Sequence, residues 1–273
     1  MIKEMSFWKW LGLLLASFFL ATLLYGFAGI VDLVPHGWVY CVAALAMCGV
    51  MIWLYAIFVK WFEGAAPKDL PPGKLGSHTG LGLSVGLGYF ITVTGIMMLA
   101  GCYKITETGA SGMEIACAFC FFSVVAVGEE ILFRGVLFRW FDEKWGFAAA
   151  LIVSALVFGL VHITNDNATW WSSLAIAIEA GLLLGAAYKW SGTLWLPIGI
   201  HWAWNFSQGN IFGFEVSGNE AGPSLLHAQV EGPEWITGGA FGAEASVIAV
   251  VVGVLLSAWF IWQIIRRKRV KAA

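Results

Sequence analysis

Long apolar runs, separated by short polar breaks, repeat along the whole chain. A helix needs about 20 apolar residues to cross the hydrocarbon core of a membrane. Gly, Pro, Asn or charged residues stand between the runs, and these residue types end helices. Eight runs fit this description: 7–31, 38–62, 79–102, 113–141, 146–164, 170–188, 193–214 and 245–265. The pattern predicts an all-α fold, a polytopic transmembrane helical bundle of about eight spans.

The predicted spans divide the chain into three parts. Residues 1–112 hold N-terminal transmembrane helices and a connector, residues 113–210 hold a core of spans four to seven, and residues 211–273 hold an external loop and the C-terminal transmembrane helix. The longest loop, 207–243, contains several acids but no Lys or Arg. Long ordered loops often act as lids, so this loop is interpreted either as a cap over the core or as a passive acidic surface.

Composition supports a membrane protein. The chain is 60% hydrophobic and 12% charged, whereas soluble domains are roughly 25% charged. Its formal net charge of −2 shows no basic excess, so nothing indicates a nucleic-acid partner.

The positions of Lys and Arg orient the chain. Cytoplasmic loops of membrane proteins collect these residues. With eight spans, one side of the membrane holds thirteen of them: Lys3, Lys9, Lys60, Lys68, Lys74, Arg139, Lys144, Lys189, Arg266, Arg267, Lys268, Arg269 and Lys271. The other side holds only Lys104. We therefore predict an integral multi-pass protein with both termini in the cytoplasm.

Three charged residues interrupt the fourth span. Glu129, Glu130 and Arg134 lie inside an otherwise apolar run. An ionised side chain at the bilayer centre costs from about 2.5 to more than 10 kcal/mol, so intramembrane charges indicate function. The i, i+4 spacing places Glu130 and Arg134 on one helix face, which predicts a structural ion pair. Glu129 points about 100° away and is the acid left for chemistry.

Other spans carry isolated polar residues. His162 ends the fifth, and His201 and Asn205 lie one helical turn apart in the seventh. Helical rise places Glu129 roughly 20 Å and His162 roughly 24 Å from the turn that joins their spans, so the two can meet. A lone intramembrane His or Asn is often only an interhelical hydrogen bond, but their joint occurrence favours a site. Glu179, in the sixth span, is left either as a supporting partner or as a bundle-facing contact.

Three motifs of this chain resemble one protein family. They are Glu129-Glu130…Arg134, Phe158…His162 and His201…Asn205, in that order. They resemble the E-E-x-x-x-R, F-x-x-x-H and H-x-x-x-N motifs of the CPBP intramembrane proteases, which include eukaryotic CAAX prenyl endopeptidases and bacterial bacteriocin-processing and immunity-linked proteins. The resemblance covers about residues 110–210.

The resemblance implies an intramembrane endopeptidase. Glu129 would be the general base that activates a water, and His162, His201 and Asn205 would bind that water or the oxyanion. Glu130, Arg134 and Phe158 would support them. The implied partners are the lipid bilayer and membrane-embedded or lipidated substrates, either prenylated CAAX tails or other membrane peptides.

Zinc is an open question at this site. Catalytic zinc usually takes three protein ligands and a water, and Glu129, His162 and His201 are candidates. If Glu129 bound zinc, however, it would no longer be free as the base, and Asn205 is a poor zinc ligand. A metal-free, glutamate-dependent site is therefore favoured over a metalloprotease.

Two other classes remain as alternatives. Intramembrane Glu, His and Arg residues also relay protons or bind substrates in transporters, but no inverted repeat is visible in this chain. The third class is a non-catalytic membrane scaffold or immunity protein that keeps the motifs for structure.

The basic asymmetry generates a topology prediction. Reporter fusions at both termini and in the 63–78 connector should locate to the cytoplasm, whereas a fusion in the 207–243 loop should be external. An external C-terminus would refute the eight-span arrangement.

Overall fold

The computed structural model describes residues 7–31, 33–220 and 222–272. Lys3, one of the residues that orient the chain, lies outside the described residues. The structure is 77% helical. The predicted all-α fold class is therefore confirmed.

Eleven α-helices follow one another along the described chain. They are α1 (Phe7–Val31), α2 (Trp38–Glu63), α3 (Leu75–Leu99), α4 (Gly112–Glu130), α5 (Arg139–Trp145), α6 (Phe147–Val161), α7 (Trp170–Ile176), α8 (Leu182–Ser191), α9 (Trp195–Phe206), α10 (Glu234–Thr237) and α11 (Val247–Ala272). Wider π-helical turns join α4 to α5 (Ile131–Phe138), join α7 to α8 (Ala177–Gly181) and extend α9 (Ser207–Ile211).

Most predicted spans are long helices. Six helical segments of the described chain are long and apolar enough to cross a membrane: Trp38–Glu63, Pro72–Leu99, Gly112–Trp145, Phe147–Thr164, Trp170–Ser191 and Val247–Val270. The two other predicted spans are helical as well, as α1 and as α9 with its π turn. The chain is thus a multi-pass membrane protein.

The outer helices expose apolar side chains. Trp38, Val42 and Trp53 of α2 and Leu255 and Trp262 of α11 are exposed. A helix that is apolar on its outer as well as its inner face is typical of a membrane span. These surfaces face lipid, and the polar site lies among the inner helices.

The pairing of α3 with α9 is the most extensive helix contact, and it depends on glycine. A Cβ added to Gly82 of α3 would lie 2.8 Å from Gly199 Cα, closer than side chains come to backbone. Gly86 contacts Ala203 one turn further along in the same way. Small residues let membrane helices approach closely. This contact fixes α9, which carries His201 and Asn205.

Two strands form a small ribbon outside the bundle. β1 (Tyr103–Thr108) pairs antiparallel with β2 (Leu226–Val230), from Tyr103 opposite Val230 to Thr108 opposite Leu226, with an irregularity between Ile105 and Glu107. The sequence predicted neither strand. The predicted 207–243 loop therefore contains β2 and α10. Its strand β2 pairs with β1 in the α3–α4 connection, and the chain then continues into α11.

The glycine contact generates a stability prediction. Gly82→Ala should lower the free energy of unfolding by about 1–3 kcal/mol, as overpacking of a tight contact does. Gly80→Ala is the matched control, because a Cβ at Gly80 meets no atom within 4 Å. Thermal unfolding of both variants in detergent measures the difference, and equal stability would contradict close packing of α3 on α9.

Candidate active site

A buried ion pair lies at the centre of the site. Glu130 ends α4 and Arg134 lies in the following π turn, with Arg134 Nη1 donating to Glu130 Oε1 at 2.8 Å. Neither side chain is exposed. Arg134 Nη2 also donates to the backbone oxygen of Gly181 at 3.3 Å. The pair thus ties α4 to the π turn between α7 and α8, and π turns are frequent at functional sites.

His201 binds the same carboxylate. Its Nδ1 lies 2.9 Å from Glu130 Oε1. The same Oε1 atom accepts from Arg134 Nη1, so it is assigned as the acceptor here as well, and His201 Nδ1–H donates. Asn205 Nδ2 lies 3.2 Å from His201 Nε2 and donates to it. Glu129 Oε2 lies 3.9 Å from that same Nε2, which is too far for a direct hydrogen bond.

His162 is fixed by its own helix. It follows the last residue of α6, and its Nδ1 lies 2.7 Å from Phe158 O. A carbonyl oxygen only accepts, so this Nδ1 also carries the proton. The Phe158 ring lies 4.9 Å from the His162 ring, 5.9 Å from the His201 ring and 4.5 Å from the Arg134 guanidinium carbon. Phe158 is therefore the apolar contact that the two histidines and the arginine share.

These hydrogen bonds set the tautomers of both histidines. In a neutral imidazole one nitrogen donates and the other accepts. With both Nδ1–H groups engaged, each Nε2 is an acceptor: His201 Nε2 accepts from Asn205, and His162 Nε2 presents its lone pair to the site. The expectation that imidazole N–H groups receive the oxyanion therefore does not fit the neutral rings. The second amide N–H of Asn205 is suited to that role.

A small cavity adjoins these residues. It has a volume of about 10 Å³, close to the roughly 10–15 Å³ that one water needs. The residues that line it come from α6 to α9 and from the segment after α9: Phe158, His162, Ile176, Ala180, Leu184, His201, Trp204, Asn205, Ser217 and Glu244. The structure therefore brings His162, His201 and Asn205 together, with Glu129 in reach of the His201 ring.

Sequence reasoning missed Glu244 and Ser217. Glu244 stands one residue beyond the predicted 207–243 loop and one before the last predicted span. An acid beside a span boundary, with no basic residue close by, was the available signal. The position of Glu244 and Ser217 on the cavity wall depends on the path of the loop, which the sequence pattern does not specify.

Glu179 has a clear structural partner. It lies in the π turn between α7 and α8, is fully buried, and accepts a hydrogen bond from Tyr89 at 2.8 Å. Gly253 of α11 packs directly against it. Gly181, in the same π turn, packs against Ala155 of α6.

The donor set does not fit zinc. Within the described ranges, no group of three or more His, Cys, Asp or Glu side chains is arranged to hold a metal ion. His201 Nε2 also already accepts from Asn205.

Fold and site together define a class of protein: a polytopic helical bundle with an acid, two histidines and an amide around a buried cavity. Residues 111–207 match the family model described as Rce1-like, type II CAAX prenyl endopeptidase. The match covers about a third of the chain and includes all three motifs, so this segment is similar to the CPBP intramembrane proteases that the motifs resemble. Neither the curated proteins nor the solved structures give a significant match.

The buried ion pair generates a prediction. Arg134→Ala should lower the free energy of unfolding by about 3–5 kcal/mol, because it leaves the Glu130 charge buried without its cation. Lys189→Ala is the matched control. The Lys189–Asp142 pair is 30% and 21% exposed, so its loss should cost about 0–1 kcal/mol. Denaturation in detergent and membrane yield measure both variants; normal folding of Arg134→Ala would contradict the pairing.

Proposed function

We propose that this protein is an intramembrane endopeptidase that cleaves membrane-anchored substrates by attack of a water activated by Glu129. The observation that carries the proposal is the 3.9 Å gap between Glu129 Oε2 and His201 Nε2, beside a cavity with room for one water. The family match over residues 111–207 supports the reaction class.

The adjacent acids divide into two roles. Glu130 is held by Arg134 and His201, so it serves to keep His201 in one tautomer and one orientation. Glu129 is 9% exposed and faces the other nitrogen of the same ring. Of these two adjacent acids, Glu129 is therefore the one placed to take a proton from a water.

Glu129 and His162 then position the nucleophile. A water beside Glu129 would donate one hydrogen to its carboxylate and the other to His162 Nε2, and would present an oxygen lone pair to a peptide carbonyl. The carboxylate takes one proton as the C–O bond forms, and Asn205 donates an amide N–H to the oxyanion. Such preorganised donors and general bases each contribute factors of about 10²–10³.

The substrate class follows from the family description. A type II CAAX prenyl endopeptidase acts on prenylated C-terminal tails, and the site lies among lipid-facing helices where a lipid chain can lie beside the peptide. We infer that the substrates are membrane-associated, with a prenylated CAAX peptide as the first probe.

The base assignment is tested with Glu129→Gln. This variant should lose cleavage of a farnesylated fluorogenic CAAX peptide by at least about 10²-fold and keep its thermal stability, because Gln preserves the volume of the side chain. Glu143→Gln is the control, since Glu143 is an exposed acid on α5. Turnover of Glu129→Gln at the wild-type rate would refute the base, and cleavage of the unprenylated peptide at an equal rate would refute the lipid preference.

A further inference from the structure

A second acid reaches the cavity from outside the family segment. Glu244 lies in the 3₁₀ turn Ala243–Ala245, directly before α11, and only 2% of its surface is exposed. It lines the same cavity as His162, His201 and Asn205. The loop after α9 therefore adds a carboxyl group to a site whose other polar residues lie within or near residues 111–207.

The neighbours of Glu244 satisfy one side of its carboxyl group. Trp204 Nε1 donates to Oε2 at 3.3 Å, and Ser217 forms hydrogen bonds to the carboxyl through its side chain and its backbone. In the described parts of the chain, Oε1 has no hydrogen-bond partner. A buried polar atom without a partner is destabilising, so Oε1 is suited to a partner that enters the cavity.

The backbone conformation of the loop and its hydrogen bonds position Ser217 against Glu244. Ser217 adopts a φ of 51°, a left-handed conformation that non-glycine residues rarely take. Asn165 Nδ2 donates to Ser217 O at 3.0 Å, and Gly218 N donates to Phe241 O at 2.8 Å. Strained backbone of this kind clusters at functional sites. Here it places Ser217 against the acid.

The surroundings of Glu244 favour its neutral form. Burial raises the pKa of the Glu244 carboxyl above its ordinary value, and the hydrogen bonds from Ser217 and Trp204 and the nearby His162 offset only part of that rise. Glu179, in the π turn between α7 and α8, interacts electrostatically with Glu244.

Resting on the proposed function, we propose that Glu244 is a catalytic acid that protonates the leaving amine of the cleaved peptide. Glu129 takes a proton from the water as its oxygen bonds to the carbonyl carbon. The C–N bond then breaks while the Glu244 carboxyl gives its proton to the nitrogen. The products are a carboxylic acid and an amine, and the proton on Glu129 passes through cavity water to the Glu244 carboxylate, which restores both groups.

The histidine tautomers leave this role open for Glu244. Both Nδ1–H groups are engaged with Glu130 and Phe158, so the neutral rings offer acceptors to the cavity. A peptide amine is a poor leaving group without a proton. The protonated Glu244 carboxyl is the donor that lies on the cavity wall.

Leaving-group dependence tests the proposal. The probes are a farnesylated CAAX peptide and its ester analogue, in which the scissile amide nitrogen is replaced by oxygen. Glu244→Gln should lose about 10²–10⁴-fold in amide cleavage and much less in ester cleavage, because an alkoxide departs more readily than an amide anion. Glu220→Gln, an exposed acid in the same loop, should cleave both at the wild-type rate.

Each outcome decides a separate question. Equal losses on amide and ester, or wild-type cleavage of the amide by Glu244→Gln, would overturn the acid assignment and leave Glu129 as base intact. A wild-type protein that cleaves neither probe, while folded in detergent, would overturn both the proposed function and this inference.

A spectroscopic readout and a second variant keep the test decisive if Glu244→Gln folds poorly. Infrared difference spectra of wild type against Glu244→Asp at neutral pH should show a shifted carboxylic-acid carbonyl band, and the Asp variant should lose more amide than ester cleavage. No carboxylic-acid band assignable to position 244, or equal losses on both substrates, would overturn the proposal.

Discussion

Arg134 carries a buried charge inside a membrane bundle, and the rest of the site depends on the ion pair with Glu130 that compensates this charge. A guanidinium without exposed surface needs a carboxylate and backbone oxygens as partners. Glu130 supplies the first and Gly181 the second, while the Phe158 ring lies against the guanidinium. Satisfying one cation thus draws α4, α6 and the π turn between α7 and α8 to one point.

The same pair separates two chemically identical neighbours. Glu129 and Glu130 are adjacent in sequence, yet Glu130 is engaged by Arg134 and by His201 Nδ1, whereas Glu129 faces His201 Nε2. One imidazole therefore lies between the two acids. Glu130 fixes which nitrogen carries the proton, and this choice decides what the ring presents to a substrate.

The loop after α9 lies outside the bundle, but it contributes side chains to the site. It is anchored to the α3–α4 connection by the β1–β2 pairing and to the end of α6 by Asn165. These contacts bring Ser217 and Glu244 onto the cavity wall. The cavity has space for about one water, so it is too small in this conformation to hold a peptide.

The sequence by itself determined the fold class, the approximate spans and the Glu130–Arg134 pair, because apolar run length and i, i+4 spacing are local properties. The motif residues Glu129, His162, His201 and Asn205 were likewise visible, since polar side chains are costly within apolar runs. Tertiary structure alone decided the tautomers of the two histidines, the β ribbon and the place of Glu244. Those depend on which atoms meet across distant segments, such as Trp204 with Glu244, and no local pattern encodes such a contact.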